Sequence, residues 1–239
     1  MTSRSPIGSS TSVPSAPVSR RQRGVFRTRI TRHYHEHRRD LPWRVPETTP
    51  FGLLLAEMLL RQTRAEQVAP VWVALVRDYP APADVRDAAP DALFTLLAPL
   101  GLGHQRVAAL QAVASTLIER HGGQVPGSIP ALLRLPHVGP YAAHAVACFG
   151  FGRRVPMVDA NVLRVLSCVF GETYSPDNRR APRAWAMAAD LLPRRGPVTE
   201  YGYGLLDFSA AVCKPRRPDC HACALTSICA WNGQRPGQT

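Results

Sequence analysis

The 239-residue chain is long enough for one large domain or two small ones, and its 45% apolar content is ordinary for a globular core. No run approaches eighteen apolar residues and the N-terminus lacks a hydrophobic signal segment, so the expectation is a cytoplasmic protein with no membrane span. The formal charge of +12 favours a polyanionic partner, but residues 1–39 hold nine arginines against one glutamate, leaving only about +4 for residues 40–239; charge alone therefore permits nucleic acid without showing it.

Residues 1–24 are rich in Ser, Pro and Arg with no aromatic side chain, a composition that predicts a disordered basic tail. Such a tail is either dispensable or a nonspecific DNA-attracting arm, and its Ser- and Arg-rich, acid-free character also resembles a transit peptide. From residue 25 apolar residues recur every three to four positions between Gly- and Pro-rich breaks. "GVFRTRITRHYHEHRRD" predicts a helix ended by "LPWRVPETTP", and "PFGLLLAEMLLRQT" a second. "APVWVALVRDYP" is a third, stopped by Pro80 and Pro82. "PDALFTLLAPLG" and "HQRVAALQAVASTLIERHGG" follow, the latter closed at Gly122 and Gly123. "IPALLRLP" and "YAAHAVACFGFG" read as a helix–turn–helix pair, and "DANVLRVLSCVFG" and "RAWAMAADLLP" complete the helices. No run of alternating strands and no solenoid repeat is present, so the fold class is all-α.

Four of the six cysteines fall within residues 213–229, spaced Cys213-x6-Cys220-x2-Cys223-x5-Cys229, beside the only lysine, Lys214. In a cytosolic chain such density points to a metal rather than disulfides. Four thiolates suit tetrahedral zinc or a [4Fe–4S] cluster; a single C-x2-C pair with wide flanking gaps suits the larger cluster better. Cys148 and Cys168 fall in predicted helices and read as buried packing residues.

This spacing, at the C-terminal edge of an all-α chain, resembles the iron–sulfur loop of helix–hairpin–helix DNA glycosylases and their endonuclease relatives. The resemblance implies a structural [4Fe–4S] cluster on Cys213, Cys220, Cys223 and Cys229. It also implies that Lys214, Arg216 and Arg217 touch DNA phosphates, against the plainer reading of solvated charges. "LPHVGPYAAHAV", residues 135–146, is similar to the family's hairpin, in which a Gly turn lets the backbone approach and the amides opening the next helix face a phosphate. Gly139 and the amides around Tyr141 would serve here; His137 stands where the family usually has its first Gly, and Ala142 where it has Thr.

In "VPMVDANVLRVL" Asp159 opens a helix. Alone it reads as an N-cap; the resemblance places the catalytic aspartate here, facing the positive charge that develops on the deoxyribose. Glu57 in "LAEMLLRQT" reads alone as a boundary residue of an apolar helix. In the family this glutamate works beside the leaving base, as a proton donor or by positioning water. Arg61 and Gln62 match the segment that wedges into the duplex. "LPWR", residues 41–44, is similar to the start of this branch.

Two branches are close. Adenine glycosylases acting opposite oxidised guanine usually have Ser at the position of Tyr141, with a further C-terminal domain. Mismatch-specific thymine/uracil glycosylases have Tyr there and read "MVDAN"; "YGLLDFSAAVC", residues 203–213, is also similar to them. Endonuclease-III-type enzymes place a Schiff-base lysine at this position. The resemblance thus implies a two-lobed, monofunctional base-excision glycosylase of thymine or uracil opposite guanine, acting as a monomer on double-stranded DNA and associated with the nucleoid. Residues 52–155 would form a six-helix barrel with the hairpin. Residues 25–51 and 156–232 would form the cluster lobe, and 233–239 a short tail. The catalytic set would be Asp159, Glu57 and Tyr141. The rivals are an adenine glycosylase and a DNA-binding or redox-sensing iron–sulfur protein without chemistry.

Overall fold

The computed structural model describes residues 18–172, 174 and 182–231. Among the described residues there are eleven α-helices, three short 3-10 turns and no strand, so the all-α class holds, but two of the helices, Pro82–Asp87 and Val198–Ala211, are not among the nine read from the sequence. No helix among them is long and apolar enough to cross a membrane.

Helix α1 (Arg20–His37) begins earlier than composition predicts. Ser19 and Gln22 form a capping box, each side chain bonding the other's backbone amide, and this starts a helix inside the segment expected to be tail. Three of the helix's six arginines are also spent on the rest of the molecule, while Arg20, Arg21 and Arg32 are exposed. Arg23 pairs with Asp190 at 2.7 Å, Arg27 bonds the carbonyls of Asp190 and Leu191, and Arg29 bonds Ala224 O and Ser227 Oγ. The expectation of disorder is thus corrected for residues 18–24, while residues 1–17 and the 233–239 tail lie outside the described residues.

The first core is built by α2 (Pro50–Leu59), α3 (Ala65–Asp78), α4 (Pro82–Asp87), α5 (Pro90–Leu97), α6 (Gly103–His121), α7 (Ile129–Leu132) and α8 (Pro140–Phe151). Pro82, expected only as a stop, occupies the first turn of α4, where its missing N–H has no helical partner to lose. Helix α2 is central: every residue from Phe51 to Leu59 is buried, so its one acid, Glu57, is buried too. Leu41 and Trp43, expected with the cluster lobe, pack into this first core instead.

The second core joins α1 to α9 (Ala160–Phe170), α10 (Pro182–Asp190) and α11 (Val198–Ala211), with Leu225 of the cysteine loop fully buried in it. Cys148 and Cys168 are buried packing residues, as read from sequence. A small third cluster of Ala145, Cys148, Met157 and Val198 links the two cores through α8 and the strap before α9.

Close approach of α1 and α11 depends on Gly204, where a Cβ would lie 2.5 Å from the backbone oxygen of Ile30. Gly204→Ala gains about 1 kcal/mol of helix propensity. The clash is with a backbone atom and cannot be relieved by rotating a side chain, so it falls toward the upper end of the roughly 1–3 kcal/mol range for overpacking. The expected net loss is on the order of 1–2 kcal/mol, lowering the melting midpoint by roughly 2–8 °C. Thermal unfolding followed by circular dichroism checks this, and an unchanged midpoint would contradict the packing account.

Candidate active site

A groove of about 1270 Å³ runs between the two cores. Glu57, Arg61 and Gln62 line it from the end of α2, His137, Gly139 and Tyr141 from the hairpin turn and α8, and Asp159 from the start of α9. All seven of these sequence-predicted residues meet in one place. The cysteines and Lys214, Arg216 and Arg217 are not among its lining residues.

The turn between α7 and α8 differs in one respect from its sequence reading. The left-handed residue is His137, at φ 60°, whereas Gly139 sits at φ −89° as the N-cap of α8. His137 therefore adopts the conformation that a glycine takes without cost, although histidine is one of the residues enriched there. Gly139 matters for space: a Cβ there would meet no protein atom within 4 Å, leaving an open face that a nucleic-acid backbone can approach. Pro140 fills the first turn of α8, so the free amides begin at Tyr141.

Asp159 is an N-cap, as its plainer reading held, and it lines the groove as well. Its Oδ1 accepts from Val162 N at 2.7 Å and its Oδ2 from Asn161 Nδ2 at 3.0 Å. The cap fixes the rotamer and holds the carboxylate at the positive end of α9. Glu57 is only 6% exposed. Burial, reinforced by the nearby Asp159 charge and opposed by Arg44, pushes its pKa up to about 8. Burial and the same two acids hold the Tyr141 phenol well above its ordinary range, so it is a neutral donor. Burial thus sets Glu57 apart as a carboxyl that keeps its proton to a higher pH than an exposed one.

Sequence reasoning assigned no role to the groove's support. Arg44 of "LPWR" makes a two-pronged ion pair with Asp207 on α11, at 2.7 and 2.9 Å, and Arg39 Nε joins at 2.7 Å. The Arg44 guanidinium lies 4.3 Å over the Tyr203 ring, which stacks on Phe149 at 3.8 Å. Burial would raise the Asp207 carboxyl, but hydrogen bonds from Arg44 and Arg39 outweigh it and hold the pKa low. Trp185, on α10, lines the groove and packs on His144 at 4.4 Å. Arg44 and Asp207 are 163 positions apart, and no local pattern marks a pairing at that distance.

The cysteine loop is braced from three sides. Arg164 Nε bonds Cys213 O at 2.7 Å, Arg29 holds Ala224 and Ser227, and Trp231 N bonds Cys168 O at 3.1 Å. Cys223 Sγ accepts from Leu225 N at 3.4 Å, and the Cys229 thiol meets Cys168 O at 3.1 Å. Arg216 and Arg217 are exposed and Lys214 is half-buried.

The sequence signature of HhH-GPD superfamily base excision DNA repair proteins matches residues 55–186. A thymine/uracil-DNA glycosylase of Methanothermobacter thermautotrophicus is 34% identical over 214 residues, spanning 90% of this chain and 96% of the relative. An adenine DNA glycosylase of Mycobacterium tuberculosis is 35% identical over 209 residues, spanning 87% of this chain and 68% of the relative. The solved structure of a thermostable thymine-DNA glycosylase, 33% identical, superposes with a TM-score of 0.86 over 92% of this chain and all of that one. An endonuclease III trapped on DNA, 23% identical, shares the fold with a TM-score of 0.73. The chain belongs to the HhH-GPD superfamily of base excision DNA repair proteins.

Proposed function

We propose that the protein hydrolyses the N-glycosidic bond of thymine or uracil mispaired with guanine in double-stranded DNA. The observation that carries this reading is the convergence of a buried, protonated Glu57 with Asp159 and Tyr141 in one groove. The likeness to thymine/uracil relatives over nearly their full length, and Tyr141 in the hairpin, favour these bases over adenine. The target nucleotide is extruded into the groove, at least cost from a mispair. As the C1′–N bond breaks, the base takes the electron pair and Glu57 supplies a proton to it. Asp159 faces the deoxyribose, where positive charge develops, and stabilises it. Water then bonds C1′ and releases its proton to solvent.

Arg61 and Gln62 fill the space left in the duplex, and the amides after Gly139 bind a backbone phosphate, with His137 at the turn beside them. Lys214, Arg216 and Arg217 form a second phosphate contact on the cysteine loop. The reaction stops at an intact abasic strand. A lyase needs an amine that forms a Schiff base, and the only lysine, Lys214, lies outside the groove. The protein acts as a monomer in the cytoplasm, on the nucleoid.

In duplexes carrying T·G, U·G or A·8-oxoguanine, the wild-type protein releases base from the first two, and strand scission requires added alkali. Asp159→Asn lowers that release at least about a hundredfold while mispair binding remains. Preferential release of adenine would establish the adenine reading, and binding without release from any mispair would establish a non-catalytic one.

Glu57 gives a pH signature with a definite sign. The free enzyme holds this proton below about 8, so kcat/KM falls as pH rises through that value, and Glu57→Gln removes that limb while slowing the reaction. The same proton is linked to stability. The unfolded carboxyl releases it near 4.5 and the folded one near 8, so its contribution is full below 4.5 and is lost as pH rises toward 8. Glu57→Gln should therefore become more stable than wild type by on the order of a few kcal/mol above pH 8, with the gap closing toward pH 4.5. Urea unfolding at several pH values measures this, and a gap independent of pH would contradict it.

Cys213, Cys220, Cys223 and Cys229 would hold a [4Fe–4S] cluster. Cys220 and Cys229 act electrostatically on Cys223, so these thiols share one neighbourhood on a braced loop. Zinc would need four thiolates at about 2.3 Å from one centre, gripped from two knuckles, and the single C-x2-C pair with wide flanking gaps suits a cluster better. A cluster spreads its ligands over several irons and would clamp the loop without taking part in base release. The purified protein should be yellow-brown with about four irons per chain. A colourless protein holding one zinc would overturn the assignment.

A further inference from the structure

Arg106, in the first turn of α6, is 8% exposed and has no carboxylate partner among the described residues. Its guanidinium is instead spent on the turn that follows α2. Nη1 donates to Leu59 O at 3.0 Å and more weakly to Met58 O at 3.4 Å. Nη2 donates to Thr63 Oγ1 at 2.6 Å and to Arg61 O at 3.2 Å, and Nε donates to Gly101 O at 2.9 Å. One cation thus covers the orphan carbonyls at the end of α2, where positive charge is favoured, and fastens both sides of Gln62.

Gln62 needs such fastening. Its φ is 58°, a left-handed conformation that a long side chain adopts only where its surroundings hold it. Arg61 and Gln62 are exposed at the groove, and Arg61 Nη1 reaches His137 O at 3.4 Å. Glu57 lies one turn back on the same helix. A buried charge devoted to backbone carbonyls at the mouth of a groove is costly unless every donor is used.

We propose that Arg106 is a positioning residue for base extrusion, locking the 60–64 turn so that Gln62 enters the duplex already formed. This rests on the reading of Arg61 and Gln62 as the wedge, and the test separates the two. Lysine at 106 can cover the α2 carbonyls but lacks the planar fork that also reaches Thr63. Thr63→Val, at a half-buried surface position, removes the acceptor for Nη2 and that hydroxyl's own bond to Arg61 O at 3.3 Å, and leaves the guanidinium its backbone partners.

Single-turnover uracil release is measured for wild type, Arg106→Lys, Thr63→Val and Gln62→Ala on a U·G duplex and on the same strand in an unpaired bubble, where no partner base need be displaced. The duplex-to-bubble ratio of rates should fall about tenfold in Arg106→Lys, less in Thr63→Val, and at least as far in Gln62→Ala. Equal losses on both substrates in Arg106→Lys and Thr63→Val, with a selective loss in Gln62→Ala, would reduce Arg106 to a stabilising residue and overturn the proposal. Selective losses in the first two with none in Gln62→Ala would remove Gln62 from the wedge and keep Arg106 as the lock. No selective loss in any variant overturns both.

Discussion

The groove depends on one buried carboxylate. Asp207 is 1% exposed, and it joins Arg39 and Arg44, from the segment that leads into the first core, to α11 of the second. An unpaired acid at this depth would be strongly disfavoured, so each arginine is held as firmly as Asp207 is buried; removing one partner of such a pair typically costs about 3–5 kcal/mol. The pair sets the relation between the two walls of the groove. It also places the Arg44 charge over Tyr203 and near Glu57, where it opposes the upward push on that acid's pKa.

The chemistry follows from how unequally the two groove acids are treated. Asp159 receives two hydrogen bonds and the positive end of a helix. Glu57 receives the interior of an apolar helix and the field of Asp159. The carboxyl of Glu57 is thereby kept neutral at physiological pH. Glu57 and the groove-lining Arg61 and Gln62 belong to a single helix and its exit turn: α2 carries Glu57 and ends on the carbonyls that Arg106 covers. A shift of that helix would displace Glu57 and the exit turn together.

Much of this was legible in the sequence because it is written locally. Helical periodicity and Gly–Pro punctuation define most of the helices, and the hairpin, Asp159 and Glu57 lie in short stretches that resemble known motifs. The start of α1 was legible in principle, since Ser19 and Gln22 have capping-box spacing, but the Ser- and Pro-rich surroundings concealed it. The turn chemistry at His137 was half legible: a non-glycine stands where the backbone is left-handed. The Arg44–Asp207 pair and the Arg106 lock were not legible. Each joins residues far apart in sequence, and an arginine that will be buried reads the same as one that will face solvent. In a chain with 29 basic residues, that ambiguity hid the charges most committed to structure.

Isotope-edited carbon NMR of the Glu57 side-chain carboxyl, assigned by its disappearance in Glu57→Gln, tests the central claim directly. The account predicts that this carboxyl remains protonated through neutral pH and titrates near 8, with the midpoint falling in Asp159→Asn as the neighbouring negative charge is removed. A midpoint near the ordinary value of 4.5, unmoved by that substitution, would contradict it.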